Sequence, residues 1–315
     1  MAQDSRPRKR HDRGSDRVAV VLAGGGERVI AWETGVLAGL ADAGFDARTA
    51  VRIVGTSAGA LVAARLAAGI DPRKDTDRIL AAKPAVVPER TRRAVANAIP
   101  QLVRILARYE YEEKERLRRA GQFASGAATA LAVEEHIAGQ AARLPDVGWP
   151  AALRLTAVDA DTGERVLLAA NTGVRLGRAV AAARAVPVLV RPISVAGRRL
   201  MDGALASATN ADLLPSNIDR ALVISATPED SPAPSLQARW NAALVDEVAT
   251  LEERGVRVVV IRASTAARRA MGDDLMSVSG SREAVTVGRE QGRRARAAML
   301  AAHRSAGPGV PSHAL

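Results

Sequence analysis

Short, almost wholly apolar runs alternate along the chain with segments whose apolar residues recur at helical spacing, which is the grammar of an α/β fold. The run Val18 to Ala23 ends in three glycines and predicts a buried parallel strand entering a tight loop. A helix is expected next, with Ile30, Val36, Leu37 and Leu40 on its apolar face and Gly44 as its stop. Val51 to Val54 predicts a second strand, which leads without pause into Gly55-Thr56-Ser57-Ala58-Gly59 and an Ala/Leu-rich helix over Ala60 to Ala68. Further strands are expected at Leu153 to Val158, Arg165 to Ala169, Arg198 to Met201, Ala221 to Ser225 and Val256 to Ile261. Helices are expected around Arg178 to Ala185 and Leu236 to Arg254, and in a mostly helical end that carries Met271 to Met276 and finishes near Met299.

From Asp71 to Leu144 there is helical patterning without a strand, interrupted by Pro72, Pro84, Pro88 and Pro100, so 71–144 predicts a helical insertion or lid. Within it Val95, Ile99, Leu102, Val103 and Leu106 form one apolar stripe beside Arg92, Arg93, Arg104 and Arg108. A helix packed on the core accounts for the stripe, and its arginines are also compatible with contact to lipid head groups. Residues 1–17 and 303–315 read as a disordered basic leader and a disordered tail around one domain over 18–302.

Composition narrows the chemistry. With 48% hydrophobic residues in 315, the chain can bury a sizeable core, and with no Cys it has no disulfide framework, thiolate metal site or thiol nucleophile. The net charge of +11 comes from 1–17 (+3), 88–119 (+4) and 282–315 (+4), which leaves the body neutral. Aromatic residues make up 2%, too few for base-stacking platforms, so nucleic acid is not an expected partner. No secretory signal or spanning segment is visible, and a cytoplasmic location with peripheral membrane contact is expected.

Gly55-Thr56-Ser57-Ala58-Gly59 fits the G-x-S-x-G nucleophile elbow, in which small residues let a strand turn sharply into a helix and expose the serine oxygen. Such a serine needs a base. The four His do not supply an obvious one: His11 and His313 fall in the tails, His303 follows the last helix and His136 sits in the insertion. A carboxylate is the expected base. Asp202, followed by Gly203 after a short strand, is the best placed, with a turn-capping Asp as the competing reading. Gly24-Gly25-Gly26 offers amides for an oxyanion, and Arg28 is placed to orient that loop. A phosphate-binding glycine loop is the rival, but the third Gly of the dinucleotide fingerprint and a Walker Lys-Ser/Thr are both missing. The carboxylates of Asp159 to Glu164 read as a turn between two strands rather than as a metal site.

Together, Gly24-Gly25-Gly26-Glu27-Arg28, Gly55-Thr56-Ser57-Ala58-Gly59 and Asp202-Gly203-Ala204 resemble the patatin-like phospholipases, as do Ala185-Val186-Pro187 and the Asp161-Thr162-Gly163-Glu164 turn. The resemblance spans about 18–214, and Val29 departs from it, standing where the family usually has Gly. It implies a three-layer α/β/α fold with a mainly parallel central sheet, and a fatty-acyl ester hydrolase of phospholipase A or lysophospholipase type. Ser57 would be the nucleophile, Asp202 the base, and Gly24, Gly25, Gly26 and Ala58 the oxyanion hole, supported by Arg28, Gly55, Gly59 and Gly203. Neither metal nor organic cofactor is implied; the partner is a lipid or acyl ester. A catalytically silent lipid-binding protein, a Ser-His-Asp esterase using His136 or His303, and a phosphate-ligand binder are the alternatives.

Overall fold

Strand β1 (Val18–Leu22) is built from Val, Ala and Leu and is buried over four of its five residues, as a central parallel strand must be when helices cover both faces. The computed structural model describes residues 16–82, 88–108, 110–272 and 281–305. The expectations for most of the leader, for Pro84, for Asp273 to Met276 and for the end of the tail lie outside the described residues.

After β1 come α1 (Glu27–Asp42), β2 (Arg52–Thr56) and α2 (Ala58–Ala67). Helix α1 stops before Gly44 as expected, with the amides of Gly44 and Phe45 bonding back to Ala41 and Leu40. The insertion then supplies α3 (Pro72–Ala81), α4 (Glu89–Leu106), α5 (Glu113–Gly126) and α6 (Val133–Ala141). Pro72 opens α3 behind an Asp71 cap and Pro88 precedes α4, both places where a missing N–H costs nothing. Pro100 does not interrupt the pattern; it lies inside α4, where burial of Leu102 and Leu106 holds the following turns on the core.

The rest runs β3 (Leu153–Asp159), β4 (Arg165–Leu168), α7 (Leu176–Ala183), β5 (Ile193–Val195) and β6 (Arg198–Asp202). It closes with β7 (Arg220–Ser225), α8 (Leu236–Glu253), β8 (Arg257–Arg262), α9 (Thr265–Met271) and α10 (Ser281–Ser305). Strand β5 was not among the expected strands. It pairs with β6 through a tight turn at Ala196 and Gly197, both with positive φ, and the alternation Ile193-Ser194-Val195 before that turn was the available signal.

Strands β3, β2, β1, β7 and β8 pair in that order and in parallel, while β4, β5 and β6 add antiparallel ladders. Alternate strand residues divide the core into two layers. Val20, Leu22, Ile53, Leu155 and Ile224 pack with α1, α2, α7 and α10, whereas Val21, Val54, Val223 and Val258 pack with α8. A third cluster joins Val158 and Met201 to Leu102 and Leu106 of α4, Leu117 of α5 and Trp240 of α8. The expected three-layer α/β/α architecture with a mainly parallel sheet is what these contacts build.

One detail of the sheet positions the site. Strand β2 pairs with residues 153–156 of β3, β4 with 155–158, and β6 with 157–159. The overlaps force β2 and β6 onto the same edge of β3, end to end. The last residue of β2, Thr56, lies opposite Thr156, and the last residue of β6, Asp202, lies opposite Ala157. Residues 57 and 202 therefore meet where one strand hands over to the other.

Candidate active site

The turn from β2 into α2 is a strained elbow: Ser57 has φ 51 and ψ −113, a region that L residues rarely occupy. It closes only because its flanks are small. A Cβ on Gly55 would stand 2.6 Å from Ala63 Cβ, and one on Gly59 would run into the carbonyl of Leu22. The Gly59 N–H bonds the Ala23 carbonyl at 3.0 Å and clamps the elbow to the end of β1.

Ser57 Oγ donates to Asp202 Oδ2 at 2.7 Å, and Ala204 N–H donates to Asp202 Oδ1 at 2.8 Å. One carboxylate thus caps the turn with one oxygen, as the capping reading expects, and meets the serine with the other. The aspartate's own N–H bonds the carbonyl of Ala185, in the Ala185-Val186-Pro187 stretch. Gly203 is required by space, since a Cβ there would press on Thr156. Burial raises the Asp202 carboxyl, and the bonds from Ser57 and Ala204 and the charge of Arg184 oppose the rise, leaving it at about 6.

The first glycine turn forms the adjoining wall. A Cβ on Gly24 would stand 3.0 Å from Ser57 Cβ and 3.1 Å from Ala204 Cβ. Its N–H is not available to an oxyanion, because it donates to Ala208 O at 2.8 Å. That corrects the expectation for Gly24, which acts as wall rather than donor. Among the described residues, the amides of Gly25, Gly26 and Ala58 have no protein acceptor. Gly25 (φ 150) and Gly26 (φ 95) hold conformations open to glycine, and Val29, buried beneath them, packs against Gly25. Arg28 donates to the carbonyl of Met271 and so ties the start of α1 to the end of α9.

Several supporting residues had no signature in the sequence. Arg184, buried at the end of α7, donates to the Ser57 carbonyl at 3.2 Å and pairs with Glu27. Burial would raise Glu27, but Arg184 and Arg143 outweigh it and hold the carboxyl down to about 2. Trp240 Nε1 donates to Ala204 O at 2.6 Å, just beyond the aspartate. His136 faces the Ala181 carbonyl at 3.1 Å, and burial lowers it to about 4. His303 lies on α10, and His11 and His313 are outside the described residues. Asp159 accepts from the amides of Asp161 and Thr162, the turn role expected of it.

A family model of patatin-like phospholipases matches residues 20–215. The chain belongs to the patatin-like phospholipase family. The match contains the elbow, the aspartate turn and the glycine loop, and it stops before α8, which brings Trp240 to this patatin-like site. Two solved structures are similar. VipD from Legionella pneumophila is 14% identical with a TM-score of 0.43, over 90% of this chain and 67% of that one. The type III effector protein ExoU is 16% identical with a TM-score of 0.38, over 90% of this chain and 53% of that one. The chain thus spans only about half the length of the second. No curated protein sequence matches.

Proposed function

We propose that the protein hydrolyses fatty-acyl esters of lipids through Ser57 and Asp202. The observation that carries this reading is the 2.7 Å bond from a strained, half-exposed serine to a buried carboxylate. Asp202 Oδ2 takes the proton of Ser57 Oγ as that oxygen attacks the acyl carbon, and the oxyanion rests on the free amides around Gly25, Gly26 and Ala58. Collapse expels the alcohol, which leaves with the proton held by Asp202. Water, deprotonated by the same carboxylate, then attacks the acyl-enzyme; the fatty acid departs and Ser57 regains its proton. A carboxylate near 6 is a stronger base than an ordinary aspartate, whose value is 3.8.

Lipid as substrate class rests on the family. It gains support from α4, whose buried side packs with Ala204 and Leu205 beside Asp202 and whose exposed side carries Arg92, Arg93 and Arg104. These exposed arginines give α4 a basic face suited to an anionic membrane surface. Among the described residues no helix is long and apolar enough to cross a membrane.

Fluorophosphonate labelling with peptide mapping tests the reaction. The probe is expected on Ser57, with none on Ser57→Ala and labelling slowed about 100-fold or more in Asp202→Asn. Labelling at another serine, or equal rates in all three proteins, refutes the assignment, and vesicle binding without labelling would mark a silent lipid binder.

A further inference from the structure

The nucleophile and its base belong to segments 145 residues apart, joined at the site by one hydrogen bond. What holds the two segments in register lies behind that bond. Asn210 is 1% exposed and sits in the left-handed region at φ 51, ψ 38, which asparagine tolerates better than other residues with a Cβ. Its side-chain nitrogen stands 2.7 Å from Ser207 O, 3.3 Å from Thr56 Oγ1, 3.4 Å from Gly203 O and 3.5 Å from Thr156 Oγ1. Thr56 precedes the nucleophile, Gly203 follows the base, and Thr156 lies opposite Thr56 with its hydroxyl 2.7 Å away. The amide therefore occupies the junction at which β2 gives way to β6 along β3.

The loop that carries Asn210 is itself anchored from below. Glu247 of α8 accepts from Thr209 Oγ1 at 2.6 Å and from Ala211 N–H at 2.7 Å. From the other side, Ala208 O receives the Gly24 amide. Residues 207–211 thus touch the elbow strand, the aspartate turn and the glycine loop at once.

We propose that Asn210 is a positioning residue, a latch that sets the separation of Ser57 and Asp202; this rests on the Ser/Asp reading above. It does not touch substrate. One N–H of its amide goes to Ser207 O, five residues after the base, and the other is shared among the longer contacts to Thr56, Gly203 and Thr156. Removing the amide therefore frees the two catalytic segments to shift relative to each other. A displacement on the order of 1 Å is enough to cost about 100-fold in rate.

Asn210→Gly isolates the side chain, because glycine keeps the backbone conformation and drops the amide. With a water-soluble ester, kcat is expected to fall about 10- to 100-fold while KM changes less than about twofold. Fluorophosphonate labelling should slow in parallel. The acid limb of the rate profile should move to higher pH, because a weakened Ser57 bond no longer holds the Asp202 carboxyl down. Thr56→Ser should retain activity, and Thr56→Val, which removes the Asn210 contact from its other end together with the hydroxyl's bonds to Thr156 and to Thr209 O, should lose at least as much. Wild-type kcat with an unmoved acid limb in folded Asn210→Gly overturns the proposal, as does a loss that only follows the folded fraction measured by circular dichroism. If Asn210→Gly does not fold, near-wild-type kcat in Thr56→Val overturns it instead. Ser57→Ala run alongside separates the two claims: activity surviving there sinks the Ser/Asp reading, whereas full activity in the latch variants alone sinks the latch.

Discussion

Three carboxyls around the glycine loop and the elbow, two buried and one half-buried, meet different fates, and each has a measurable pH signature. Asp202 is raised to about 6 chiefly by burial, and the proposed reaction requires it ionised to take the serine's proton. The kcat/KM for a soluble ester should therefore fall about tenfold per unit below pH 6 and level off above it. A limb near the ordinary value of 3.8 would contradict the burial argument. Glu33 lies in α1 with one oxygen accepting from Ala23 N–H at 2.7 Å and the other without a partner among the described residues. Burial pushes it well above its usual 4.5. A folded-state value above the unfolded one means the folded protein holds the proton longer, so wild-type stability falls as pH rises beyond about 4.5. Glu33→Gln keeps the acceptor and removes that slope. Its Tm should exceed the wild type's by about 2 °C or more at pH 8, the gap closing toward pH 5, as differential scanning fluorimetry can read. Glu27, held at about 2, has the opposite sign: its contribution is present above about 4.5 and lost as pH falls toward 2. Ser57 and Asp202 were legible because the backbone turns that present them demand glycine at fixed offsets. Arg184 and Asn210 were not, since a side chain that bonds a distant main chain leaves no local pattern.

At the scale of elements, most strands and helices were legible from the period of their apolar residues, because burial on one or two faces dictates that period. What periodicity cannot carry is which helix meets which. Helices α1 and α10 approach so closely that Cβ atoms on Gly35 and Gly39 would strike the backbone carbonyls of Val285 and Arg289. Reciprocally, Cβ atoms on Gly288 and Gly292 would strike those of Trp32 and Val36. Asp42 then pairs with both Arg289 and Arg293 at the end of the contact. Because the obstacle is backbone on both sides, it cannot yield as a flexible side chain would. Gly39→Ala or Gly292→Ala should cost about 1–3 kcal/mol or more in chemical denaturation. Gly139→Ala is the control: it lies inside α6 with nothing within 4 Å, and alanine there should stabilise by about 0.5–1 kcal/mol. Equal effects at the two kinds of site would show that helix propensity, not the close approach, governs these glycines. Since α1 begins at the glycine loop, the α1–α10 contact also braces one wall of the site from a helix beyond the matched family region.

Across the whole molecule, motif order was readable but their meeting point was not, because the junction of β2 and β6 on one edge of β3 exists only once the sheet is assembled. The distribution of charge was readable, and it leads to a consequence on the same scale. The body is neutral and the excess lies in segments that include α4, where Arg92, Arg93 and Arg104 are exposed while Leu102 and Leu106 fix the helix to the core. Among the described residues Arg93 pairs with Glu89 of its own helix and Arg104 donates to Pro100 O, and both side chains are exposed to an external anionic surface. Each basic residue near an anionic bilayer contributes about 1 kcal/mol, screened within a Debye length of about 10 Å at 0.1 M salt. Reversing two of them, in Arg93→Glu/Arg104→Glu, changes the facing charge by four units and should weaken binding to vesicles containing anionic phospholipid at least tenfold. Binding to neutral vesicles should be little affected, and the difference should fade as salt is raised. Turnover of a water-soluble ester, measured on the same preparations, distinguishes lost docking from a damaged site. Sedimentation that is equal for both proteins on anionic vesicles at low salt would remove α4 from the membrane face and return its stripe to a purely structural role.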